Sequence, residues 1–117
     1  MRPKKLIIDG IEVIQKVECR NMKWTDTIKY AEDNNLTILN WVQIPKAWET
    51  VRNNADFKEL KKEMLEYWIR CEYDDTLLRW DFMIRERPNL YSGEGPWDGD
   101  PNGGVLLGRK IVKRRLK

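Results

Sequence analysis

Histidine is absent from this 117-residue chain, and serine occurs once, at Ser92. Most nucleophile and base pairs of hydrolytic and transfer enzymes draw on one of these two residues, so catalysis of the Ser-His or Cys-His kind is excluded. Zinc sites built on histidine or on clustered cysteine are excluded as well. Only two cysteines are present, Cys19 and Cys71, and their separation matches no metal-binding or redox motif. The opening Met-Arg-Pro-Lys-Lys precedes just three apolar residues, unlike a secretory signal. Both thiols are therefore expected to be reduced and mostly buried, in a cytoplasmic protein. No apolar run approaches the length needed to cross a bilayer, so no membrane association is expected. No metal or other cofactor is expected either.

What the chain does have is tryptophan, six of them. A large aromatic buries roughly 150–250 Å², so six can supply much of a small core or anchor a partner. The net charge of +3 hides a division. Arg2, Lys4 and Lys5 at one end, and Arg109, Lys110, Lys113, Arg114, Arg115 and Lys117 at the other, lie in segments without acid. Residues 6–108 hold the other 13 of the 22 basic residues against all 19 acidic ones, a net of −6.

Tyr67 to Phe82 reads as two aromatic-rich runs around Asp74-Asp75. An even-numbered loop centred on that pair sets Cys71 opposite Leu78, Ile69 opposite Trp80 and Tyr67 opposite Phe82, giving one apolar face. An odd loop would set Ile69 against Asp81, so burial selects the even register and predicts a buried Trp80.

Elsewhere, Lys5–Asp9 and Ile11–Glu18 are β-rich runs joined by Asp9-Gly10, a dipeptide suited to a tight hairpin turn. A short helix opens at Trp24-Thr25-Asp26 with Thr25 as N-cap, carries Ile28 and Ala31 inward, and stops at Asn34-Asn35. Pro45 introduces a brief helix over Lys46–Val51 with Trp48 inward. Asp56 and Glu59 have capping-box spacing before Phe57, Leu60, Met64 and Leu65 at helical spacing. Residues 85–104 contain three prolines and five glycines without either period, predicting a long irregular loop. Val105–Leu116 closes the chain as a basic strand. The expectation is one α+β domain over residues 1–117, with two or three short helices packed on a twisted antiparallel sheet.

The runs Trp24-Thr25-Asp26-Thr27-Ile28-Lys29-Tyr30-Ala31 and Asn40-Trp41-Val42-Gln43-Ile44-Pro45-Lys46-Ala47-Trp48-Glu49 are followed by Tyr67-Trp68, Glu72-Tyr73-Asp74-Asp75, Trp80 and Val112-Lys113-Arg114. Together they resemble the Lcl C-terminal family of bacteria and phages, over about residues 22–117. Its pattern is a Trp-led helix, a Trp-Arg-Leu-Pro turn before a second helix, a Tyr-Trp-Ser-Ser-Thr-Glu strand and a last strand containing Val-Arg. Val42-Gln43 departs from Arg-Leu, Ile69-Arg70-Cys71 replaces Ser-Ser-Thr, and the 85–104 loop is longer. The resemblance implies a C-type-lectin-like fold whose N- and C-terminal strands pair, with nothing catalytic carried over. Fold alone does not fix function.

Several stretches have the form of sites. Asp98-Gly99-Asp100-Pro101-Asn102-Gly103 matches the first half of a calcium loop, but its twelfth position is Arg109 instead of glutamate, so a plain turn is expected. The sugar-binding triplets of calcium lectins are absent; Arg87-Pro88-Asn89 lacks the acidic ligand. Asp74-Asp75 is expected to be a solvated turn. The balance favours a non-enzymatic protein-binding module, encoded by a phage or mobile element, that masks a host complex such as a defence nuclease. Its partner-binding residues are expected in the 85–104 loop: Arg85, Arg87, Tyr91, Trp97, Asp98 and Asp100. One alternative is a nucleic-acid-associated protein using a basic patch of Lys4, Lys5, Arg109, Lys110, Lys113, Arg114 and Arg115. If the termini pair, these residues form one positive seam. Carbohydrate or receptor binding by a lectin-like domain is the other alternative.

Overall fold

The computed structural model describes residues 4–92 and 101–111. Leu6, Ile8, Ile11 and Val13 are buried at alternate positions, and Asp9 (φ 49°) and Gly10 (φ 75°) supply the two left-handed corners of the turn between them. Strands β1 (Ile7–Ile8) and β2 (Ile11–Val13) pair antiparallel across that turn, with Ile8 opposite Ile11. The run expected to continue to Glu18 ends at Val13. Beyond it, only Glu18 makes an isolated bridge, to Val105.

Helix α1 (Trp24–Asp33) starts from the extended Lys23, not from Thr25. Lys23 carries no cap of its own, but its carbonyl accepts from both the amide and the hydroxyl of the buried Thr27, at 2.9 and 3.0 Å. The helix ends where the asparagines stop it. Asn35 turns left-handed (φ 55°), its N–H donates to the Glu32 carbonyl and that of Leu36 to the Ala31 carbonyl, closing a Schellman motif with Leu36 packed near Ala31.

Helix α2 (Gln43–Val51) follows the short β3 (Thr37–Ile38) and begins before the expected Lys46, because Asn40 initiates it. The Asn40 side-chain oxygen accepts from the amides of Val42 and Gln43, while the Gln43 side chain accepts from the Asn40 amide, a reciprocal capping box. The third helix also takes its start from an asparagine instead of the expected Asp56. Asn54 caps a 3-10 turn over Ala55–Phe57 that runs into α3 (Lys58–Glu66).

Among the described residues eight strands form two four-stranded sheets, where one was expected. The first has the order β1, β2, β8 (Leu107–Lys110), β3 and the second β6 (Asn89–Ser92), β5 (Thr76–Asp81), β4 (Trp68–Tyr73), β7 (Gly103–Gly104). Strand β4 (Trp68–Tyr73) pairs with β5 (Thr76–Asp81) in the even register, Ile69 opposite Trp80 and Cys71 opposite Leu78. Trp80, however, is half-buried, and the fully buried indole is Trp48 on α2, stacked 4.7 Å from Phe82. The Trp80 indole N–H donates to a carbonyl near the surface, as shown below, whereas the buried Trp48 indole N–H has no hydrogen-bond partner among the described residues.

The segment expected to be an irregular loop contains β6 (Asn89–Ser92), antiparallel to β5, and β7 (Gly103–Gly104), parallel to β4. A two-glycine strand has no side-chain alternation to betray it. From there the chain runs fully buried through Gly108 into β8 (Leu107–Lys110), passing from one sheet to the other. Leu106 enters the larger core, which draws on both sheets, α2 and α3, while Val105 and Leu107 face Ala31, Trp24 and Ile38 on the other side. β8 lies between β2 and β3, so the last described strand pairs with the second strand of the N-terminal hairpin, and β1 stands beyond it at the sheet edge.

Close approach makes this crossing possible. A Cβ on Gly104 would lie 2.4 Å from the Glu18 carbonyl and 2.6 Å from Val17 Cγ1, whereas one on Gly103 would meet the Trp68 ring at 3.3 Å. Gly104→Ala is expected to lower stability by roughly 1–3 kcal/mol or more, and Gly103→Ala by much less. Urea denaturation of the two variants checks this; equal midpoints would refute the crossing geometry.

Candidate functional site

Alternation along β4, β5 and β6 sorts their side chains onto two faces. Ile69, Cys71 and Tyr73 share one with Thr76, Leu78, Trp80 and Leu90. Helix α2 covers its inner part, where Trp48 stacks on Phe82 and Phe82 on Trp80. The outer part extends past the helix. There Tyr73 is 54% exposed, and Trp41, 36% exposed, meets it edge-to-face with ring centroids 5.0 Å apart. Val42 beside Trp41 and Leu90 opposite Trp80 extend the apolar surface.

The chain places Trp41 there by two local devices. Asn40 caps the turn, so Trp41 is the first residue of the helical path and is displayed at its end. Pro45 then has no N–H to give to the carbonyl four residues back, which is that of Trp41. The Trp80 indole N–H fills the gap, donating to the Trp41 carbonyl at 2.9 Å. That bond fixes the start of α2 to β5 and holds Trp41 against Tyr73.

The opposite face is polar and aromatic. The Arg79 guanidinium lies over the Trp68 ring at 3.8 Å and the Tyr91 ring at 4.9 Å. Arg70, fully buried, donates to the carbonyls of Met22 (2.8 Å) and Cys19 (2.7 Å), pinning a connection in which Cys19 and Asn21 both have positive φ. The Trp24 indole donates to Glu72 at 2.6 Å. Arg79, Arg70 and Trp24 are thus engaged within the protein, by rings, backbone carbonyls and Glu72, which makes this face a scaffold.

Of the residues expected to bind a partner, Arg85 and Arg87 are exposed in the turn after β5, at the end of the sheet away from Tyr73. Tyr91 lies on the scaffold face with Arg79, so the three do not converge. Trp97, Asp98 and Asp100 lie outside the described residues, as do Lys113, Arg114 and Arg115. The positive seam is not formed by the rest. Lys4 pairs with Asp56 at 3.6 Å and Lys5 with Glu12 at 3.8 Å. Glu12 also stands opposite Arg109 in the ladder, between the two ends' charges. Arg109 and Lys110 line a surface cleft with Asn34, Asn35 and Thr37.

Comparison with family models, with curated proteins and with solved structures finds no match to this chain. Among the described residues, no helix is long and apolar enough to cross a membrane.

Neither thiol is poised for nucleophilic chemistry. Burial pushes Cys71 up to about 12, and Cys19 is raised by burial and by the neighbouring Glu18, with Arg70 opposing. The sequence does not single out Trp41 or Tyr73 as exposed, since Tyr73 lies in an aromatic-rich run read as one apolar face and Trp41 in a run that carries no separate signal of exposure. Only the start of the helix at Trp41 is signalled, by the capping-box spacing of Asn40 and Gln43.

Ile84 to Arg87 forms a tight turn in which Arg85 (φ 54°) and Glu86 (φ 53°) are both left-handed, closed by Arg87 N–H to the Ile84 carbonyl at 3.1 Å. Such a backbone costs a side-chain-bearing residue about 1–2 kcal/mol, partly offset in glycine by unfolded-chain entropy. Arg85→Gly is therefore expected to stabilise by roughly 0.5–1 kcal/mol, and the β-branched Arg85→Val to destabilise, both read from denaturation midpoints.

For Cys71 the folded value is raised above the ordinary 9.0. Its contribution is complete below pH 9.0 and is lost as pH rises towards about 12, because only the unfolded thiol ionises there. The fall in stability above pH 9.0 should be shallower in Cys71→Ala, as stability curves for the two proteins would show.

Proposed function

We propose that this chain is a non-enzymatic protein-binding module with a C-type-lectin-like architecture, acting by covering part of another protein such as a host complex. The reading rests above all on Trp41 and Tyr73, two large aromatics left substantially in water and held against each other by the Trp80 to Trp41 hydrogen bond. Exposed aromatics on a rigid support are the residue type that dominates protein interfaces, because they bring contact area at little entropic cost. Val42, next to Trp41 in the chain, adds exposed apolar area. The lectin-like assignment is supported by the quoted residues and by the pairing of β8 with the N-terminal hairpin through β2. The non-enzymatic assignment is supported by the lack of histidine and of all but one serine.

The nucleic-acid alternative loses support from Lys4 and Lys5, whose charges are met by Asp56 and Glu12. A pull-down from the native host lysate with the wild type, Tyr73→Ser and Trp41→Ser tests the proposal. Either substitution is expected to weaken the captured complex by about 2 kcal/mol or more, roughly thirty-fold, with the melting temperature nearly intact. Capture should also survive added salt, whereas phosphate contacts would give a steep salt slope. A partner held equally by the wild type and by both variants would refute the site.

A further inference from the structure

We infer that the corner between Trp41 and Tyr73 receives an arginine side chain of the partner, so that the recognised element is a cationic peptide segment. This rests on the protein-binding reading above and narrows it. Two ring planes at 71°, with centroids 5.0 Å apart, form adjoining walls of an open corner. A guanidinium is planar, weakly hydrated for a cation and attracted to aromatic faces, which suits it to such a corner better than an ammonium or a neutral side chain.

Complementary charge comes next along the chain. Tyr73 leads directly into Asp74 and Asp75, both exposed at the hairpin tip with φ of 48° and 63°. Among the described residues neither carboxylate takes part in an ion pair or a hydrogen bond, while Glu72 is turned to the opposite face by its bond to Trp24. Two unneutralised carboxylates therefore follow an exposed aromatic pair directly in the chain. Their local charge favours a cation over a neutral side chain at this end of the sheet.

The protein itself supplies a counterpart on its other sheet face, where Arg79 lies over the Trp68 and Tyr91 rings. There the ring pair is filled from within. At Trp41 and Tyr73 no arginine or lysine of the described residues lies over either ring.

The test is a titration of the isotope-labelled protein with a short synthetic peptide of alternating glycine and arginine, followed through the Trp41 indole and Tyr73 amide resonances. Matched peptides carry lysine, or the neutral isostere citrulline, in place of arginine. The arginine peptide is expected to shift both resonances saturably, with the lysine peptide weaker and the citrulline peptide weaker by at least about ten-fold. Tyr73→Ser should abolish the response. Replacing Asp74 and Asp75 together by asparagine, which tolerates the same left-handed turn, should weaken it several-fold.

Equal binding of the arginine and citrulline peptides would overturn the inference, as would shifts confined to residues distant from Trp41 and Tyr73. If Tyr73→Ser releases the captured partner while no cationic peptide binds, the protein-binding site stands and the arginine specificity falls.

Discussion

The buried run from Gly103 to Gly108 is the constraint on which the rest of the structure depends. It lies beside β4 at one end and between β2 and β3 at the other, so a single extended segment joins the two sheets and separates the two cores. Its backbone is satisfied along the way: Val105 and Glu18 exchange bonds at 2.8 and 2.9 Å, Leu39 N–H donates to the Leu106 carbonyl and Ile14 N–H to that of Leu107. An extended chain threaded through a small core costs least when its polar groups are all paired. Glycine at 104 and 108 lets neighbouring strands come close enough to pair them; a Cβ on Gly108 would lie 2.3 Å from Ile11 Cγ2.

The aromatic surface is coupled to that frame through one proline. Pro45 leaves the Trp41 carbonyl without a helical donor, and the Trp80 indole supplies the missing hydrogen. In this way β5, whose position is set by β4 and hence by the crossing strand, dictates where the first residue of the α2 path stands. Trp41 is therefore held on a sheet and a helix at once, which fixes it beside Tyr73.

The paired charges contribute little to stability. The ion pairs of the described residues are exposed or nearly so, and such pairs contribute only about 0–1 kcal/mol each. Lys4, Lys5, Lys46 and Lys61 are met by Asp56, Glu12, Asp9 and Glu86. Asp74 and Asp75 are left unmet at the hairpin tip, beside the exposed rings.

Local chemistry was legible in the sequence by itself. The Asp9-Gly10 and Asp74-Asp75 turns, the even register of the central hairpin, the asparagine stop of α1 and the inward face of Trp48 all follow from short-range rules of turn geometry, helical spacing and the burial of one strand face. The α+β class follows from the same rules. What only tertiary structure decided was the partition into two sheets, the burial of Gly103 to Gly108 and the exposure of Trp41 and Tyr73. Two-residue strands and glycine pairs carry no side-chain period, so their pairing is chosen by distant backbone partners such as Glu18 and Leu39. Likewise, whether a tryptophan in an apolar run lies inside depends on where α2 ends its cover of β5. Residues thirty to forty positions apart set that limit, through a carbonyl that Pro45 had left open.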